Sequence, residues 1–165
     1  MKRLALISLL GLAALTLGLA GCESGKNRTH TPDASDKAGK SLYERLGGEP
    51  AITLVVDDFV DRTAANPKVN VTRKGEGREW QATPENVRKL KKLVVEFVCS
   101  ATGGPQKYTG RDMPTTHQGM KITEAQFNAA GDDLVASLKK FKVPKKEQDE
   151  LMAIVATTKK DIVGK

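Results

Sequence analysis

Aromatic residues are scarce in this chain: among 165 residues there are one tryptophan, two tyrosines and four phenylalanines. A sheet of stacking platforms for nucleic-acid bases is therefore excluded, because such surfaces need aromatics interleaved with cations. Cysteine occurs only twice, which rules out a disulfide-dense scaffold. Only one long apolar run exists, from Leu4 to Ala20. No segment shows strict apolar/polar alternation of the kind a half-buried strand requires, and no repeat of fixed period is visible.

That single apolar run follows Lys2 and Arg3 and ends Leu19-Ala20-Gly21-Cys22. A basic start, a short apolar core and small residues before a cysteine have the layout of a secretory signal, and Gly11, Gly18 and Gly21 weaken the reading as a first helix of the domain. Leu-Ala-Gly-Cys resembles the bacterial lipobox, which implies that residues 1–21 are a lipoprotein signal peptide and that Cys22 carries the lipid. From Glu23 to Lys40 the chain turns to Ser, Gly, Thr, Asp, Asn and Lys without apolar periodicity, so residues 22–40 read as a flexible tether. About 18 such residues would hold a domain roughly 20 to 25 Å from a bilayer. The net charge of +7 and the expected export favour weak attraction to anionic lipid headgroups over binding to nucleic acid.

Residues 41–165 have the length of one domain with a modest core. Ser41-Leu42-Tyr43-Glu44 has capping-box spacing and runs into Gly47-Gly48, which predicts a short helix stopped by glycine. Pro50 suits a first helical position before Ile52, Val55, Val56, Phe59 and Val60 at helical spacing. Thr83-Pro84-Glu85 opens a second amphipathic helix with Val87, Leu90, Val94, Phe97 and Ala101 on one face. A further capping box at Thr123–Gln126 precedes Phe127, Ala130, Leu134, Leu138 and Phe141. After Pro144 a last helix carries Leu151, Ile154, Val155 and Ile162. The fold class expected is all-α. Cys99, in an apolar helical stretch, reads as a small buried hydrophobe.

The segment from Gly103 to His117 stands apart. A glycine pair ends one helix, a turn-rich connector follows, and the only histidine of residues 41–165 opens a new segment, an arrangement suited to a cofactor entered from a loop. Gly-Gly-Pro-x-x-Tyr-x-Gly-Arg-x-Met-x-x-x-His resembles the signature of group I truncated haemoglobins. Ser41–Gly48, Val55–Phe59 and Val95–Phe97 resemble that family's opening helix, second helix and distal helix, in the same order.

The resemblance implies a shortened globin fold, two helices over two, holding haem b with His117 as the axial ligand of iron. It implies Phe59, Leu90, Val94, Phe97, Met113, Ile122 and Phe127 as lining residues and Lys91 and Arg111 as partners of the haem propionates. No Cys-x-x-Cys-His is present, so the haem is expected without thioether attachment. Ferrous haem needs a neutral imidazole, a dry apolar slot and one open position, and the expected ligand is a diatomic gas, O₂, NO or CO. Where the family usually places an oxygen-binding tyrosine this chain has Val60, and Leu90 and Val94 are apolar too, so bound O₂ should lack a hydrogen-bond donor. Between Pro67 and Pro84, residues 73–81 resemble an insertion around Trp80, which either folds over the pocket or caps the core. The functions expected are a membrane-tethered haem protein for gas storage, delivery or sensing at the cell envelope or, alternatively, a haem-free globin-like lipoprotein. An enzyme oxidising NO would further need an electron donor outside the cytoplasm.

Overall fold

The computed structural model describes residues 39–77 and 79–165, so Cys22, the signal segment and nearly all of the tether lie outside the described residues. Among the described residues seven helices follow one another: α1 (Leu42–Arg45), α2 (Gly48–Ala65), α3 (Pro84–Ala101), α4 (Met113–His117), α5 (Glu124–Lys140), α6 (Lys145–Thr157) and α7 (Lys159–Ile162). Among the described residues there is no strand, only an isolated parallel bridge between Ile122 and Val163. The helices form an all-α, two-over-two sandwich: α2 packs on both α3 and α5, α5 packs on α6, and α4 rests on α7.

Local chemistry sets the helix ends. Ser41 and Thr123 both form complete capping boxes, with Glu44 and Gln126 returning the bond to the cap backbone. Thr83 caps α3 through the Asn86 amide, with Pro84 directly behind it. α3 ends in a Schellman turn: the Gly103 amide donates to Ser100 O at 3.3 Å and the Gly104 amide to Cys99 O at 2.7 Å. Gly103 takes a left-handed φ of 89°, while a Cβ on Gly104 would lie 2.6 Å from the Tyr43 ring and 2.8 Å from Cys99 O. The two glycines therefore serve different needs, one of conformation and one of space.

Two expectations need correction. Pro50 is the third residue of α2, not its first, because left-handed Gly47 caps the helix and Gly48 begins it. The last helix is two helices, since α6 ends at Thr157 and Thr158 serves both as its C-cap and as the N-cap of α7.

The core joins Leu42, Ile52, Val55, Val56, Val60, Val95, Val98, Cys99, Leu134, Leu138 and Leu151. Burying one such leucine contributes about 2 kcal/mol. Polar clamps tie the layers together. The Asp58 carboxylate accepts from Lys140, from Ser137 Oγ at 2.7 Å and from Arg62 Nη2 at 2.9 Å. Lys140 first, then Ser137 and Arg62, hold that carboxyl far below the ordinary range. Arg45 bridges α1 to α6 through buried Glu147 at 3.1 Å and through Glu150.

Candidate functional site

His117 closes α4 rather than opening it. Asp112 caps this short helix, accepting from the Thr115 amide at 2.8 Å, and left-handed Gly119 turns the chain away directly after it. The imidazole is half-buried. Its Nδ1 lies 2.8 Å from the carbonyl oxygen of Met113, one turn back. A carbonyl only accepts, so in the neutral ring Nδ1 carries the proton and Nε2 keeps its lone pair for a metal. Such a second bond fixes both the tautomer and the ring orientation of a ligating histidine.

The apolar candidates share one property. Phe59 on α2, Leu90, Val94 and Phe97 on α3, Met113 on α4, Ile122 after it and Phe127 on α5 are all half-buried, and none is fully enclosed. Phe59, Leu90, Val94 and Phe97 border the core cluster, whereas Met113, Ile122 and Phe127 stand outside it. The link between the two groups is the connector to α4: the Tyr108 ring meets Phe97 edge-on with centroids 5.8 Å apart, and its hydroxyl donates to Arg111 O at 2.8 Å. Glu96 on α3 accepts from both the amide and the hydroxyl of Thr109, at 3.1 and 2.6 Å. Lys92, then Thr109, lower the Glu96 carboxyl to about 2. This loop thus hangs His117 from α3 by an aromatic contact and a carboxylate clamp.

Lys91, expected to meet a propionate, bonds instead to α2, with its ammonium 2.8 Å from Asp61 and 3.6 Å from Asp57. Arg111 is exposed. Val60, aligned with the family's oxygen-binding tyrosine, is 3% exposed and belongs to the core. Cys99 is fully buried, and burial pushes its thiol up to about 11, so it is an inert hydrophobe. Trp80 is half-buried in a connector that closes on itself through its amide, bonded to Thr72 O at 2.9 Å.

Sequence reasoning missed Arg73. An arginine in an aperiodic loop reads as surface, yet this one is buried at 4% exposure and donates to Met120 O, in the turn that follows His117.

No group of three or more His, Cys, Asp or Glu exists among the described residues to cage a metal ion. A single imidazole held by Met113 O with Nε2 free fits an iron whose remaining ligands come from a flat macrocycle. The donor set therefore fits haem.

An all-helical sandwich with one histidine so presented defines a globin-type domain. The model of the family described as bacterial-like globin matches residues 41–163. Group 1 truncated hemoglobin GlbN of Mycolicibacterium paratuberculosis is 33% identical over 116 residues, which span 70% of this chain and 79% of that protein. The solved Fe(III) form of truncated hemoglobin from Tetrahymena pyriformis superposes with a TM-score of 0.67 at 28% identity, covering 76% of this chain and all of that one. A Synechococcus 2/2 hemoglobin, solved in the cyanomet state with covalently attached heme, gives a TM-score of 0.64 at 28% identity over 75% of this chain and 98% of that one. The chain belongs to the bacterial-like globin family and is a truncated globin.

Proposed function

We propose that residues 41–165 bind haem b through His117 and use it to hold a diatomic gas, O₂, NO or CO, at the cell envelope, with Cys22 as the lipid anchor. Membership of the truncated globins supports haem iron as the cofactor and a gas as the ligand. The observation that carries the site is the 2.8 Å contact of His117 Nδ1 with Met113 O, which leaves Nε2 available. Haem, when bound, would supply an iron that takes up a diatomic gas. His117 would hold it through Nε2, and the half-buried side chains of α2, α3 and α5 would help to exclude water and so slow oxidation. The lipobox-like Leu19-Ala20-Gly21-Cys22 supports the envelope location, and the charge balance adds weak attraction to anionic headgroups.

Titration of haemin into the purified chain tests the reading. A saturable Soret band is expected in the wild type, with weak or altered binding in His117→Ala. No saturable band in the wild type leaves the haem-free lipoprotein, whereas identical saturable spectra in the two proteins overturn the assignment of His117 alone. For the anchor, Cys22→Ser should leave the membrane fraction. Unaltered processing and partitioning of that variant refute lipidation.

A further inference from the structure

Arg73 lies in the connector between α2 and α3, within the stretch the sequence marks as inserted. Its side chain is 5% exposed. Nη2 donates to the carbonyl of Met120, and the Met120 amide in turn bonds His117 O at 3.0 Å. Nε and Nη1 are shut off from water and have no acceptor. The Glu76 carboxylate is 3.9 Å from Nη2, beyond hydrogen-bonding distance, and is itself 44% exposed.

A guanidinium cannot shed its charge, and enclosing one with two donors idle is strongly unfavourable unless an anion meets it. The apoprotein therefore holds a buried cation against the turn that follows His117, with two donors idle and only the exposed Glu76 carboxylate, at 3.9 Å, as counter-charge. Resting on the haem reading above, we infer that Arg73 is a clamp for a haem propionate, supplied by the inserted connector. A carboxylate matches its idle donors in charge, because hydrogen bonds from a guanidinium to a carboxylate are charge-assisted at both ends. Two placements agree with this role: Lys91 is already bonded to Asp61 and Asp57, and Arg111 is exposed. The connector then contributes a haem-holding group through its own fold, with the Arg73 amide bonded to Asn70 O at 2.9 Å and the residue held at a left-handed φ of 55°.

The test compares ferric protoporphyrin IX with its dimethyl ester, which lacks both carboxylates, on the purified wild type and on Arg73→Met, Arg73→Lys, Arg111→Ala and His117→Ala. Quenching of Trp80, the only tryptophan of the chain, reports affinity independently of gas binding. The wild type should prefer the free acid by about ten- to a hundredfold, the range for a charged hydrogen-bonded pair. Arg73→Met should lose most of that preference, Arg73→Lys should retain part of it, and His117→Ala should weaken both porphyrins while preserving the ratio. The apoprotein provides a second readout. Removing a buried cation with two idle donors, at the loss of its one bond to Met120 O, should change the unfolding midpoint of Arg73→Met little, and both side chains meet the same backbone strain at this φ. A wild-type preference that persists in Arg73→Met, or that collapses only in Arg111→Ala, overturns the clamp while leaving haem binding intact. So does an apoprotein midpoint lowered by more than the loss of one hydrogen bond explains, because the guanidinium would then be satisfied without haem. Absence of quenching and of a Soret band with either porphyrin sinks the haem reading and the clamp with it.

Discussion

Replacing Val94 by glutamine should slow oxygen release, and replacing Val60 by tyrosine should instead damage the fold. The two positions differ in how closely they are packed. Val94 is half-buried on the α3 face that also carries Leu90 and Phe97, so a longer polar side chain has room beside a bound ligand. One neutral hydrogen bond to the partial negative charge on bound O₂ is worth about 0.5–1.5 kcal/mol net, which slows dissociation by about two- to tenfold. Bound CO is less polar and should change by less than about twofold. Val60, at 3% exposure, sits in the core cluster. A tyrosine ring forced in there costs about 1–3 kcal/mol, or roughly 4–12 °C in melting temperature for a domain of this size. Stopped-flow replacement of O₂ and CO on the haem-loaded proteins measures the first effect, and thermal melts of the apoproteins measure the second. Unchanged O₂ release in Val94→Gln, or equal slowing of CO, would refute the placement of Val94 beside the ligand. A Val60→Tyr protein that melts normally and holds O₂ longer would place Val60 there instead.

Two further outcomes concern the segment that carries His117. The Glu96 carboxyl falls from an ordinary 4.5 to about 2 through Lys92 and Thr109, so its stabilising contribution is complete above pH 4.5 and is lost as pH falls through 2. The stability gap between wild type and Glu96→Gln, followed by urea unfolding, should be constant above about pH 5 and close towards pH 2. A gap independent of pH would mean the clamp contributes nothing. Gly104→Ala must displace the Tyr43 ring and strain the bond to Cys99 O, because the new Cβ would lie 2.6 and 2.8 Å from them. Its cost should be about 2–4 kcal/mol in apoprotein unfolding, against about 1 kcal/mol for left-handed Gly103→Ala. The reverse order would refute the division of labour between these glycines.

What could be read from the chain alone was what is decided within a few residues. The capping boxes at Ser41 and Thr123, the cap at Thr83 and the glycine pair after Ala101 rest on bonds spanning three to five positions, and all are found. Apolar stripes on α2, α3 and α5 likewise follow from helical spacing. The misreadings were also local, where two signals competed. Pro50 looks like a helix start, but Gly47 and Gly48 at positive φ begin α2 earlier. The C-terminal stripe looks continuous, yet Thr158 breaks it. Long-range chemistry left no trace in the pattern. Asp58 meets Ser137 and Lys140, 79 and 82 positions away, and Arg73 reaches Met120 across 47. The histidine was legible from its place after a glycine pair and a turn-rich connector, and its role as ligand from the motif's resemblance to the group I truncated haemoglobin signature. No physical rule for spacing would have shown which turn its Nδ1 bonds, nor that the polar partners of Lys91 lie on α2.

α4 has five residues and no fully buried side chain, far fewer than the dozen or so that an isolated helix needs to persist in water. Its order is borrowed from Asp112, from the hooks to Glu96 and Phe97, and from α7. A helix so weakly self-supporting opens more readily than the α2–α3–α5 core. A ligand that grips its last residue raises the cost of that opening in proportion to the logarithm of the ligand's concentration over its dissociation constant. Proteolytic nicking near His117 should therefore act as a gauge of haem supply: chains that have captured the cofactor survive, and chains still waiting for it are cleared first.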